Sequence, residues 1–103
     1  MIIVSVLYPN GADARFDLDY YLRRHMPMVQ QRLGKPLRRV AVEHGLAGGG
    51  PGEPAPFLAL AHLHFDSLEA FQSAFEPHAG PILADVPNYT NTRPVIQISE
   101  VKL

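Results

Sequence analysis

The apolar residues of the chain fall into four short runs that have the length and residue types of β-strands. These runs are Ile2–Tyr8, Leu37–Leu46, Pro56–Phe65 and Pro94–Val101. The third run alternates clearly, so that its odd-numbered positions place one apolar row on a single face. The first run is apolar on both faces, which is typical of a central strand that is covered on both sides.

A first helix is predicted between the first two strands. Asp17 suits an N-cap, and Phe16 and Tyr21 occupy the flanking positions of a hydrophobic staple. One apolar stripe at helical spacing follows, made of Leu18, Tyr21, Leu22, His25 and Val29. Pro27 lies inside this pattern and predicts that the helix ends or kinks just after His25.

A second helix is predicted after the third strand. Asp66, with Glu69 three residues later, resembles a capping box. The predicted buried stripe consists of Leu68, Phe71 and Phe75. Pro77 and Pro81 interrupt the pattern, and a further short helical piece is predicted around Ile82–Val86.

The element order β-α-β-β-α-β predicts a ferredoxin-like α+β fold, in which a four-stranded antiparallel sheet carries both helices on one face. We interpret residues 1–103 as a single domain. Because the strands are apolar on both faces, the face without helices needs a cover. A second copy would supply it, which predicts a homodimer with the architecture of a dimeric α+β barrel.

Composition narrows the possible functions. Apolar residues make up 47% of the 103 positions and the formal net charge is −1. The mixed charges lack the basic stripe of a nucleic-acid-binding protein, and no apolar run is long enough to span a membrane. The chain has no cysteine, which excludes disulfides and thiolate metal sites and favours a cytoplasmic location.

Three segments of the chain form a recognisable combination. Asp19–Pro27 is rich in aromatic residues and ends in His-Met-Pro, Phe65–Phe71 leads from a strand into a helix, and Asp85–Thr90 is followed by Pro94–Glu100. In register, these segments resemble the EthD family over nearly the whole chain. The resemblance implies a dimeric α+β barrel and a link to catabolism, since the family is named after a gene cluster for ethyl tert-butyl ether degradation. Similar barrels include polyketide cyclases, lactone isomerases, quinol-forming monooxygenases and haem-binding enzymes, so the fold does not fix the reaction.

Two residues are candidates for catalysis. His25 lies on the apolar stripe, and its imidazole titrates near neutral pH, so we predict that it lines a pocket between helix and sheet and moves a proton. The alternative is a core histidine with a satisfied hydrogen bond, or a cap for the helix end. Tyr89 is the second candidate, because a tyrosine hydroxyl can donate to a developing oxyanion. The sequence places no carboxylate beside His25.

Four further residues are candidates for binding substrate. Tyr21 would form an apolar wall beside the catalytic histidine. Tyr8 and Asn88 lie near strand or helix ends, where ordinary turn chemistry is the alternative. His62 would be a polar lining residue in an apolar barrel. Its neighbour His64 points the same way about 6 to 7 Å along the strand, but two imidazoles do not complete a metal site, and we predict no metal.

These features predict a small catabolic protein that catalyses proton transfer without a cofactor. The substrate would be an apolar carbonyl or aromatic metabolite, and the reaction an isomerisation, cyclisation or dehydration. His25 would move the proton while Tyr89 or His62 stabilises the oxyanion. Two alternatives stay open: a non-catalytic ligand-binding accessory protein, and a haem- or metal-dependent, monooxygenase-like enzyme that uses a histidine ligand.

Overall fold

Four antiparallel strands form one sheet in the computed structural model, which describes residues 1–103. The strands are β1 (Ile2–Pro9), β2 (Arg39–His44), β3 (Phe57–Phe65) and β4 (Val95–Glu100). They lie in the order β2-β3-β1-β4, and the two central strands pair over almost their whole length, from Ile2 opposite Phe65. The predicted ferredoxin-like α+β fold is confirmed.

The helices pack against one face of the sheet and leave the other face uncovered. Side chains such as Val4, Leu63 and Phe65 point towards the helices and are buried in the core. Their neighbours on the opposite face, including Ile3 and Leu60, are only half-buried within one chain. We call this second surface the helix-free face; its members on the central strands are Ile3, Ser5, Leu7, Leu58, Leu60, His62 and His64.

The first helical body has three continuous parts. These are α1 (Leu18–Tyr20), a π-helical turn (Tyr21–His25) and α2 (Met26–Leu33). The carboxylate of Asp17 accepts a hydrogen bond from the Tyr20 N–H at 3.0 Å, and the rings of Phe16 and Tyr21 lie 4.9 Å apart. The predicted N-cap and hydrophobic staple are therefore both present. Gly34 ends the helix with a φ of 65°, which favours glycine.

Of the two predicted effects of Pro27, an end or a kink just after His25, the end does not occur, but the helix is irregular up to that residue. A proline in an α-helix lacks an N–H donor, and its ring clashes with the carbonyl four residues earlier. In this chain a π-helical turn precedes the proline, and the Met26 N–H bonds the carbonyl of Tyr21, five residues back. The wider turn accommodates the proline ring, so the chain stays helical to Leu33.

The π-helical turn also changes which side chains are buried. This turn holds one more residue than an α-helical turn. The residues after it that face the sheet are therefore shifted by one position along the chain. Met26, Val29 and Leu33 are consequently buried, together with Tyr21. The prediction that Leu22 belongs to the buried stripe was wrong, since its side chain is 48% exposed.

The second helical region begins one residue later than predicted. It comprises α3 (Leu68–Phe75), a 3-10 turn (Glu76–His78), α4 (Ala79–Ala84) and a second 3-10 turn (Val86–Asn88). The N-cap is Ser67, whose hydroxyl accepts from the Ala70 N–H at 3.1 Å. Asp66 accepts from the Arg38 guanidinium at 2.8 Å instead, so the capping box with Glu69 does not form.

The buried stripe of this region is narrower than predicted. Phe71 and Phe75 pack against the core, and their rings stack 5.3 Å apart. Leu68 was wrongly placed with them, because it is exposed in the first turn of α3. Ile82 of α4 is buried and completes the helical layer.

We predict that Pro27→Ala changes the free energy of unfolding by less than about 1 kcal/mol, because the π-helical turn before Pro27 already accommodates its ring. Gln30→Pro, placed inside α2, should lower the same free energy by about 3 kcal/mol or more. Urea denaturation followed by circular dichroism measures both changes. Stabilisation by Pro27→Ala of about 3 kcal/mol would show instead that Pro27 strains the helix.

Candidate functional site

A cavity of about 100 Å³ lies between the helical layer and the covered face of the sheet. Its walls are mainly aliphatic and aromatic side chains, and no Lys, Arg, Asp or Glu lines it. The polar side chains on its wall are His25 and the phenols of Tyr8, Tyr21 and Tyr89. An apolar pocket with a few convergent polar groups is the usual form of a small-ligand site.

His25 lies on the cavity wall and is only 4% exposed. Its Nδ1 is 2.9 Å from Oδ2 of Asp85, and its Nε2 is 3.5 Å from the hydroxyl of Tyr89. The ring stacks on Tyr21 with 5.3 Å between centroids. One ring nitrogen is therefore held by a carboxylate, while the other lies beside a phenol of the cavity wall.

Asp85 is the residue that sequence analysis missed. It directly follows α4 and lies sixty positions from His25 along the chain. Its Oδ1 accepts hydrogen bonds from the Tyr20 hydroxyl at 2.7 Å and from Nδ2 of Asn88 at 2.9 Å. With Oδ2 bound to the imidazole, both oxygens have protein partners and the carboxylate has a defined orientation.

The environment of this pair sets its protonation state. Burial lowers the pKa of His25 below its ordinary value of 6.5, although the hydrogen bond and charge of Asp85 act in the opposite direction. Burial raises the pKa of Asp85, but hydrogen bonds from Tyr20, Asn88 and His25 outweigh it and leave the pKa below its ordinary value. Near neutral pH the imidazole is uncharged and donates from Nδ1 to the carboxylate, which leaves Nε2 as the acceptor nitrogen, 3.5 Å from the Tyr89 hydroxyl.

Three phenols complete the polar part of the wall. The hydroxyls of Tyr8 and Tyr89 are 2.8 Å apart, and those of Tyr8 and Tyr21 are 3.4 Å apart. Burial raises the pKa of all three, so they are neutral hydrogen-bond donors. The backbone of Tyr89 is fixed, since its carbonyl accepts from the Asp17 N–H at 2.7 Å.

Residues 10–93 match the family model of the EthD domain. The chain belongs to the EthD family. The matched range contains Tyr21, His25, Asp85 and Tyr89, so most of the cluster lies within the family domain.

Two similar proteins match most of this chain. An uncharacterised 11.0 kDa protein of Rhodococcus erythropolis, from the thcB-thcC intergenic region, is 36% identical over 93 residues, which cover 88% of this chain and 85% of that protein. The crystal structure of an EthD-like protein from Ralstonia eutropha JMP134 is 48% identical, with a TM-score of 0.94, and the match covers 99% of this chain and 92% of that one.

A more distant EthD structure shares the fold. An ethyl tert-butyl ether degradation (EthD) family protein from Bacillus halodurans C-125 is 20% identical, and the match covers 99% of each chain with a TM-score of 0.75. At this identity the likeness shows a common architecture alone.

Four of the six predicted site residues of this EthD-family chain meet at the cavity, namely Tyr8, Tyr21, His25 and Tyr89. Asn88 does not line the cavity; it is exposed and donates to the carboxylate of Asp85. The structure thus places Asn88 behind the cavity wall, where it orients Asp85.

His62 lies apart from this cluster, on the helix-free face. Its Nδ1 is 2.9 Å from the Ser5 hydroxyl, and its Nε2 is 3.0 Å from the Glu43 carboxylate. It therefore does not approach an oxyanion formed beside His25. No group of three or more His, Cys, Asp or Glu side chains converges to hold a metal ion. None of the helices has the length and apolar character needed to cross a membrane.

We predict that the pKa of His25, followed by NMR titration, lies below 6.5 and falls further in Asp85→Asn, because the amide no longer stabilises the charged imidazolium. The exposed carboxylate variant Asp13→Asn should leave the titration unchanged. A rise of the His25 pKa in Asp85→Asn would contradict the assigned pair. Since the folded chain binds this proton more weakly than the unfolded chain, the contribution of His25 to stability is present above pH 6.5 and is lost on acidification.

Proposed function

We propose that this EthD-family chain is a small catabolic enzyme that catalyses proton transfer, without a cofactor, on an apolar carbonyl or aromatic metabolite. The observation that supports this function best is the neutral imidazole of His25. Its Nδ1 is bound to Asp85, its Nε2 lies 3.5 Å from the Tyr89 hydroxyl, and both residues line an apolar cavity. A base of this kind works best with a pKa near the operating pH.

In the proposed reaction, Nε2 of His25 removes a proton from a carbon next to the substrate carbonyl. The electrons of the broken C–H bond move to the carbonyl oxygen and form an enolate. The hydroxyl of Tyr89, on the cavity wall, donates a hydrogen bond to this oxygen. The imidazolium then returns its proton to another carbon, which gives an isomer, or to a departing hydroxyl, which gives dehydration. Asp85 stabilises the imidazolium between the two steps.

A binding protein without catalytic activity is the second candidate. The hydroxyls of Tyr8, Tyr21 and Tyr89 bond one another, so part of their donor capacity is already used inside the protein. This arrangement would serve a site that only encloses an apolar ligand. The haem-dependent alternative has no such support, because a cavity of about 100 Å³ is far too small for a porphyrin.

Exchange of substrate hydrogen for deuterium tests the catalytic proposal without knowledge of the natural substrate. Small ketones incubated with the protein in D₂O should exchange hydrogens next to the carbonyl faster than in buffer, as measured by mass spectrometry. His25→Ala should lower the rate by roughly 10² to 10⁴-fold, the usual contribution of a general base. His44→Ala removes an exposed histidine and should have no effect. Ketones that bind without exchanging would favour the binding protein.

We also propose that two copies pair through their helix-free faces. Apolar side chains such as Ile3, Leu7 and Leu60 lie there half-buried without any helix to cover them. In such a dimer His62 would lie between the two sheets, and any contact with a ligand would belong to that space. An obligate interface of this kind should bury more than about 2,000 Å².

Leu60→Glu should convert the dimer into a monomer, because it places a charge in the middle of the apolar contact. Leu22→Glu carries the same change on the exposed side of the first helix and should remain dimeric. Sedimentation at micromolar concentration measures both. A monodisperse monomer of the unmodified chain would refute the proposed pairing.

A further inference from the structure

A row of polar side chains crosses the helix-free face from one edge strand to the other. His62 of β3 lies opposite Ser5 of β1, and Ser5 lies opposite Gln97 of β4. Ala41 of β2 is the direct partner of His62, and Glu43, two positions further along β2, contacts the His62 ring. We call these polar residues the polar row. It is separate from the cavity, which lies on the other face of the sheet.

The hydrogen bonds of the polar row connect a hydroxyl, an imidazole and a carboxylate in series. Oγ of Ser5 is 2.9 Å from Nδ1 of His62, and Nε2 of His62 is 3.0 Å from Oε1 of Glu43. An ionised carboxylate only accepts, so in the neutral imidazole the proton is on Nε2 and Nδ1 accepts the hydroxyl proton of Ser5. A hydroxyl bound to a base that a third group orients is the arrangement that activates serine as a nucleophile.

Gln97 supplies the hydrogen-bond donor that such a site also needs. Strand β1 pairs with a neighbour on each side, so an oxyanion formed at Ser5 must be met by a side chain. A side-chain amide has two protons, and Gln97 donates one of them to the Ser99 hydroxyl at 3.1 Å. The second proton remains available on the residue directly opposite Ser5, at a cross-strand Cβ separation of about 4.5 to 5.5 Å. Side-chain amides serve as oxyanion donors in acyl transfer.

The surroundings of the polar row indicate the class of substrate. The side chains of His62 and Glu43 are 29% and 47% exposed, so a ligand can reach them in the single chain. The half-buried side chains of Leu60 and Leu7 lie beside the polar row on the same face. They provide an apolar surface, and no lysine or arginine lies in these two rows. A charged acyl group would therefore lose water without gaining a countercharge.

We propose that Ser5, His62 and Gln97 form a second catalytic site, which cleaves uncharged esters of small apolar carboxylic acids. Oγ of Ser5 attacks the carbonyl carbon while Nδ1 of His62 takes the hydroxyl proton, and Gln97 donates to the oxyanion. The C–O bond to the alcohol then breaks, and His62 returns the proton to the departing oxygen. A water molecule, deprotonated by His62, hydrolyses the acyl-serine and releases the acid. Glu43 contacts only the imidazole and is a positioning residue.

Covalent labelling and ester hydrolysis test the nucleophile and the base. Phenylmethylsulfonyl fluoride should add one sulfonyl group to the unmodified protein, and peptide mapping should locate it on Ser5. Release of nitrophenolate from 4-nitrophenyl butyrate should fall to background in Ser5→Ala and by roughly 10² to 10⁴-fold in His62→Ala. Ser73→Ala and His44→Ala make the same changes at exposed positions and should have no effect. Circular dichroism establishes that each variant is folded.

Two further variants test the remaining roles. Gln97→Ala should lower kcat by roughly 10² to 10³-fold with KM unchanged, because its donor acts on the oxyanion and not on the bound ester. Glu43→Gln should move the acid limb of the rate–pH profile to lower pH, because the imidazolium loses its countercharge. A purely structural role of Glu43 would leave that limb in place.

The outcomes separate this site from the other proposals. Unchanged hydrolysis in folded Ser5→Ala overturns the site, and so does the absence of a label on Ser5 in the unmodified protein. A label on Ser5 that appears only in Leu60→Glu would show that pairing of two chains closes the polar row, and it also overturns a site that works in the native protein. Loss of hydrolysis in Ser5→Ala with unchanged deuterium exchange of ketones supports a second site independent of the cavity.

Discussion

The hydrogen bond between Nδ1 of His25 and the carboxylate of Asp85 determines the chemistry of the cavity. It joins the first helical body to the segment after α4, two parts of the chain that sequence separates by sixty positions. It also selects the tautomer, because the carboxylate requires a donor and the proton must therefore be on Nδ1. The nitrogen that remains unprotonated is Nε2, which lies 3.5 Å from the Tyr89 hydroxyl. Tyr20 and Asn88 hold the carboxylate in turn, so the orientation of His25 depends on groups outside the cavity.

The π-helical turn determines where Tyr21 and His25 lie on the cavity wall. It brings Tyr21 and His25 into a stacked pair on the wall and moves Met26, Val29 and Leu33 towards the core. π-helical turns are rare and are frequently found at functional sites. The turn coincides with the residues that carry the proposed chemistry, and Pro27, two residues after its end, disfavours a uniform α-helix.

The sheet and the helices were predictable because their causes are local. Alternation in β3 and the Asp17 N-cap follow from short-range rules, and the structure agrees with both. The predictions were wrong where two neighbouring residues could fill the same structural role. Asp66 and Ser67 are both good N-caps, and Ser67 takes that role while a distant Arg38 pairs with Asp66. His62 could have been assigned to the helix-free face from its alternation with Phe65, which belongs to the core.

The partner of His25 was not predictable in the same way. Asp85 and Asn88 stand three positions apart in a segment whose prolines indicate only a broken helix, and nothing local connects them with the first helical body. Their association requires both segments to pack side by side over the covered face of the sheet. The tyrosines raise the same difficulty, because Tyr8, Tyr21 and Tyr89 come from three elements and converge only in the folded core.

The exposed rim of the cavity and the carboxylate that orients the base lie in one short segment. Leu83, in α4, lines the cavity and is 51% exposed, and Asp85 follows it two residues later. Tyr20 and Asn88 hold the carboxylate of Asp85 from outside the cavity. The accessible side of the cavity and the group that fixes the tautomer of His25 are therefore only two residues apart in the chain.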